Sequence, residues 1–107
     1  MASSKKLVRA AFRQSVFDRD RHKCKMCGAV PEDGDAGLDA HHITDRNEMP
    51  NGGYVAANGI SLCRQCHKAA EEFHSTGTAA PGFSPEDLYA AIGSSHTEAV
   101  SESQRLR

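Results

Sequence analysis

The chain has 107 residues, 38% of them hydrophobic and 6% aromatic, with no tryptophan. That length holds one core at most, and ordering each residue costs about 1–2 kcal/mol of backbone entropy, so a core this thin needs a disulfide or metal staple. The net charge of −1 excludes a uniformly basic protein, but residues 1–27 carry eight Lys/Arg against Asp18 and Asp20, a net of +6, and residues 28–107 carry five against twelve Asp/Glu, a net of −7.

Four cysteines, in two Cys-x-x-Cys pairs, can supply the staple. The opening MASSKK lacks the apolar run of a signal peptide, and no stretch approaches a membrane span. An intracellular, cytoplasmic setting with reduced thiols is therefore expected. There, Cys24, Cys27, Cys63 and Cys66 read as a four-thiolate zinc site, since two disulfides would require an export route. A site of three cysteines and His67 is the competing arrangement, disfavoured because His67 directly follows Cys66. The basic segment 1–27 suits a phosphate backbone, though a solvated helix face explains the same charges.

In chain order, residues 1–6 are expected to be a flexible N-terminus. Leu7, Val8, Ala11, Phe12 and Val16 fall on one stripe and predict a helix over 7–17, with Arg9, Arg13 and Gln14 opposite. Cys24-Lys-Met-Cys27-Gly28 predicts a tight metal-binding turn, its glycine free to take positive φ. Residues 29–37 read as loop. Leu38–Ile43 and Ile60–Leu62 read as short strands, separated by a long polar loop over 44–57, of a length that is often functional. Asn58-Gly59 is a turn signal. A helix is predicted from about Cys66 to His74, broken by STGTAAPG. Ser84-Pro85-Glu86-Asp87 then starts a helix that stops at Gly93. Residues 94–107 have no apolar period and are expected to be a disordered tail.

The combination of His41-His42-Ile43, Asn58 and Leu62-Cys63-x-x-Cys66-His67, with Cys24 and Cys27 upstream, resembles the HNH endonuclease family, in particular members with a four-cysteine zinc. The resemblance covers roughly residues 17–74. It implies an α+β fold, a small zinc-bound domain with a ββα-metal core and flanking helices, spanning 7–93 as a nuclease domain. It also implies a metal-dependent endonuclease that hydrolyses DNA phosphodiester bonds and leaves 5′-phosphate and 3′-hydroxyl ends. By position, His42 is the general base, and His41 and His67 hold one catalytic divalent ion. Asn58 holds the loop and orients the base, and Glu71 is a further candidate ligand one helical turn beyond His67.

Elementary chemistry is compatible with these roles. An imidazole titrates near neutrality and can take a proton from water. A divalent ion stabilises charge on a scissile phosphate. Mg²⁺, Mn²⁺, Ni²⁺ and Zn²⁺ all qualify as that ion, with imidazole ligands favouring the last three on affinity. Asn58 is expected to accept a hydrogen bond from the His42 ring. One difficulty stands: adjacent strand residues point to opposite faces, so His41 and His42 cannot both enter one cleft from a regular strand.

His74 reads as a surface or end-of-helix histidine, and His22 and His96 are assigned no role. Arg46 and Arg64 flank the site as solvated arginines, and Asp39 and Asp45 do not occupy the ligand position. DNA is the expected partner, with no membrane. One site per chain leaves a homodimer or sequential nicking open for double-strand cutting, and the acidic 28–107 region leaves a protein partner open. The rival to the enzyme is a zinc-stabilised module that binds nucleic acid or protein without cutting.

Overall fold

The apolar stripe of the first helix continues past its predicted end. α1 spans Lys5–Arg19 and buries Phe12, Val16 and Phe17, whereas Leu7 is 65% exposed. The computed structural model describes residues 5–106. The expectation of a flexible N-terminus lies outside the described residues for 1–4, and residues 5 and 6 are already helical.

α1 is fastened at its C-terminal end by a charged pair that sequence reasoning passed over. The Arg19 guanidinium binds both carboxylate oxygens of Asp20 at 2.8 Å and donates to the carbonyls of Ala56 (2.7 Å) and Gly59 (2.6 Å). Asp20 Oδ2 accepts from the Ser61 amide at 2.9 Å. A buried carboxylate is tolerable because each oxygen has a donor.

β1 (Leu38–His42) and β2 (Gly59–Cys63) form a two-stranded antiparallel sheet, with Leu38 opposite Cys63 and His42 opposite Gly59. Gly59 is extended, φ −128°, so it does not serve as a turn residue. It is needed for space: a Cβ there would lie 2.5 Å from Val16 Cγ2 and 2.7 Å from the Phe12 ring. α1 therefore rests directly on that face of the hairpin. Residues 44–57 are not structureless. Short 3-10 turns cover 46–48, 50–53 and 56–58, and Asn51, Gly52 and Gly53 all have positive φ.

α2 (Arg64–Thr76) starts at Cys63 and ends at Gly77, whose left-handed conformation (φ 80°) caps it. α3 (Pro85–Ala91) has the predicted N-terminus, a capping box between Ser84 and Asp87 with Pro85 in the first turn. The expectation of a disordered tail over 94–107 is overturned for 96–104, which form α4 (His96–Gln104) with Ser95 as N-cap. α4 has no apolar stripe because its contact face is small. Ala99 and Ser103, one turn apart, are fully buried. The loop meets its end: Asn51 Nδ2 donates to the carbonyls of Ser103 (2.9 Å) and Leu106 (3.1 Å).

The described residues thus make an α+β domain of four helices and one hairpin. Phe12, Val16, Phe17, Leu38, Ile43, Ile60, Leu62 and Leu88 share its core, each such side chain contributing roughly 1.5–3 kcal/mol on burial. No helix among them is long and apolar enough to cross a membrane.

Candidate metal centres and active site

The two cysteine pairs meet where the hairpin joins α2. Cys24 and Cys27 sit on a turn closed by the Gly28 amide on the Cys24 carbonyl (2.9 Å), with Gly28 at φ +79° as expected. Lys25 N donates to Ser61 O at 2.8 Å and ties this turn to β2. Cys63 ends β2, and Cys66 lies in the first turn of α2. All four thiols are free and lie within 4.8 Å of one another, with Cys27 and Cys63 sulfurs 3.7 Å apart. A tetrahedral ion about 2.3 Å from each sulfur spaces them by about 3.8 Å, so the cluster is consistent with zinc binding. His67 is not part of this group, which removes the three-cysteine alternative.

The thiols are electrostatically unlike. Burial pushes the Cys24 thiol up, but backbone N–H groups of Cys27, Cys63 and Met26 together outweigh it and bring its pKa to about 7. Burial, with the neighbouring sulfurs, pushes the Cys66 thiol up. Four thiols this close favour ionisation of one at the expense of the next, a conflict that a bound cation removes.

A second group of donors lies between β1 and α2. Ligand atoms of His41, Glu71 and His74 fall within 4.8 Å of one another. His67 adjoins them: its Nε2 is 3.4 Å from Glu71 Oε1, its Nδ1 is 3.2 Å from Asp39 Oδ2, and its ring centroid is 5.2 Å from that of His41. His67, Glu71 and His74 share one helix face because four and seven residues are near whole turns. His41 is only 2% exposed, and neither of its ring nitrogens has a hydrogen-bond partner. Glu71 Oε1 stands 3.3 Å from His41 Nδ1 but without hydrogen-bond geometry. A buried imidazole with two orphaned nitrogens beside a carboxylate fits a divalent-cation site, since a neutral core histidine would normally be paired. Burial, then the charges of His67, His74 and His42, hold its pKa down at about 3.

His41 and His42 do take opposite faces, as strand geometry requires. His41 faces α2. His42 turns toward α1, stacked on Phe12 at 4.5 Å between centroids and met edge-on by Tyr54 at 4.8 Å. Both nonetheless line one depression of about 340 Å³, together with His67, Glu71, His74 and Arg46. A two-stranded sheet leaves the outer edge of β1 uncovered, so side chains from both faces reach the same opening. Burial, then Arg46, lowers the His42 pKa to about 4, against which Asp45 acts, so the ring is neutral at neutral pH. Its Nε2 is buried without a partner.

Asn58 is fully buried, but the hydrogen bond expected between it and the His42 ring is not made. Its Oδ1 accepts from Thr44 N (3.0 Å) and Tyr89 Oη (2.7 Å), and its Nδ2 donates to the carbonyls of Thr44 (3.1 Å) and Gly53 (3.3 Å). It therefore zips the two ends of loop 44–57. The polar backbone neighbour of His42 is Gly52 instead. Sequence reasoning missed His74, although the 67/71/74 spacing on a helix was a usable signal. His74 Nε2 lies 3.0 Å from the carbonyl oxygen of His42, and where it donates there, Nδ1 carries the ring's lone pair. Phe12, Tyr54 and Tyr89 had no local signal.

Residues 24–73 match the model of the HNH endonuclease family, a segment that contains both donor clusters except His74. Neither a curated protein nor a solved structure matches the chain.

Proposed function

We propose, from the premise that the chain belongs through residues 24–73 to the HNH endonuclease family, that it is a metal-dependent endonuclease hydrolysing DNA phosphodiester bonds. The observation that carries this reading is His41: a buried imidazole with both nitrogens unpaired, beside Glu71, His67 and His74, in a depression shared with the His42 ring. His41 and His67, with Glu71 and His74, would hold the catalytic ion, which when bound supplies Lewis-acid stabilisation of charge on the phosphate and leaving oxygen. His42, neutral and unpaired at Nε2, takes the proton of the attacking water. The stack on Phe12 and the edge contact from Tyr54 fix its ring plane. Asn58 acts at one remove, by closing the loop that carries Gly52 and Tyr54. Zn²⁺ in the four-thiolate site is structural.

Plasmid nicking by the zinc-loaded protein tests the reading. Activity should vanish in EDTA, return with added Mn²⁺, Mg²⁺, Ni²⁺ or Zn²⁺, and be lost in His42→Ala. A wild type inert under all four ions, or a His42→Ala variant nicking at the same rate, would leave the non-cutting binding module as the better account.

A further inference from the structure

Most arginines near the hairpin are engaged. Arg13 donates to the carbonyls of Leu38 (3.4 Å) and Asp35 (2.7 Å), and Arg19 binds Asp20. Arg9, on α1, and Arg46, at the start of the loop, are different. Both are exposed, and among the described residues neither pairs with a carboxylate. Both instead converge on one neutral oxygen, the Tyr54 hydroxyl. Arg46 Nη1 donates to it at 3.4 Å, and Arg9 adds to the lowering of the phenol's pKa that begins with that bond. Two guanidinium groups gathered at an uncharged oxygen repel each other, and an anion at that place would relieve the repulsion.

The surface between them has the right chemistry. Arg9, Arg46, Asn47, Asn51 and Tyr54 line a depression of about 500 Å³ with no acidic residue in its wall, although the chain as a whole is net negative. This depression continues into the active site. Arg46 also lines the opening that holds His41, His42, His67, Glu71 and His74, and a further hollow joins Arg9, Tyr54, Arg46 and His42.

We propose that Arg9 and Arg46, converging on Tyr54, grip a phosphate of the DNA backbone flanking the one that is cut, so that the strand runs from the histidine opening across Arg46 toward α1. The proposal rests on the nuclease reading and names where its substrate lies. The grip is to backbone, so it supplies affinity and register rather than sequence choice. Tyr54 gives it a second consequence, because the ring that receives both arginines also packs on His42.

The test is equilibrium binding of a fluorescent DNA duplex to zinc-loaded protein without added divalent ion, from about 50 to about 200 mM salt, with steady-state nicking measured in parallel. The double variant Arg9→Gln/Arg46→Gln should bind at least about tenfold more weakly at low salt and lower the slope of log K against log salt by about 1.8, or about 0.9 per lost phosphate contact. Its KM should rise while kcat at saturating DNA stays within about twofold, as for a contact made equally in ground and transition states. Arg105→Gln, on an arginine paired with Glu102, should change neither. Wild type that binds and nicks while the double variant matches it in KM and salt slope would overturn the grip alone. Wild type that neither binds nor nicks would take the nuclease reading down with it.

Discussion

The Tyr89 hydroxyl donates to Asn58 Oδ1 across 2.7 Å and stands 2.7 Å from Thr44 Oγ1. This joins α3, outside the family-matched segment, to the buried amide that closes loop 44–57. Burial raises the phenol's pKa, opposed by Thr44, so it is a neutral donor throughout the working range. Tyr89→Phe keeps the ring and removes only the hydroxyl. It should cost about 1–2 kcal/mol, because Asn58 loses one donor and Thr44 one partner in a buried setting, lowering the melting temperature by several degrees. Nicking should fall in kcat more than KM should rise, because the loop positions Gly52 and Tyr54 around His42. A variant with wild-type stability and kcat would reduce the network to passive packing.

The two metal groups separate by what their loss should do. Cys63→Ser removes a thiolate from a cluster that clamps the Cys24 turn to the start of α2, and where zinc holds that cluster, binding free energy is folding free energy. Circular dichroism should show an unfolded or aggregating protein. His42→Ala leaves both clusters intact and opens a space beside Phe12, so a drop of no more than about 1–2 kcal/mol is expected, with loss of nicking. Equal destabilisation by the two variants would mean that His42, too, holds the fold.

Features legible in the sequence were those whose chemistry is local. The Cys24–Gly28 turn, the Ser84–Asp87 capping box and the two strands each follow from neighbours within a few residues. The misreadings depended on distant partners. Asn58 was assigned to His42, but Tyr89, far along the chain, claims its oxygen. Gly59 reads as a turn residue until Val16 and Phe12 are seen against its Cα. α4 has no apolar period because a loop with positive-φ residues at 51–53 approaches its backbone closely enough for Ala99 and Ser103 to suffice. The facing problem at His41 and His42 was posed correctly by strand geometry. Its solution, an uncovered strand edge, is a property of the sheet having only two strands.

His74 offers a sharper test of the second donor group, since it was the member that sequence reasoning set aside. Its ligand atom lies with those of His41 and Glu71. His74→Ala should weaken binding of Mn²⁺ or Ni²⁺ by roughly 10–100-fold in calorimetric titration, the usual scale for losing a group that holds or orients a ligand. Raised metal concentration should then restore part of the nicking. An unchanged metal affinity would confine His74 to its contact with the His42 carbonyl, and the ion would be left to His41, His67 and Glu71.

A group far from this chemistry should make stability depend on pH. His22 leaves α1 in a left-handed conformation, φ 57°, which carries its ring between two carboxylates. Nδ1 lies 2.9 Å from Asp35 Oδ1 and Nε2 lies 3.1 Å from Asp18 Oδ1. The hydrogen bond from Asp35 is the largest influence; burial opposes it, the Asp35 charge and then Asp18 add to it, and the net effect raises the pKa above 6.5. The fold therefore favours the imidazolium. Its contribution is fully present below pH 6.5, the ordinary value, and declines as pH rises through the raised folded value. Melting temperatures of wild type and His22→Gln, compared from about pH 5.5 to about pH 8.5, isolate this group because the other histidines titrate in both proteins. The wild-type advantage should be largest at the acid end and shrink toward the alkaline end. An advantage that grows with pH would reverse the sign of the linkage, and one that stays constant would show that the neutral ring bridges Asp18 and Asp35 equally well.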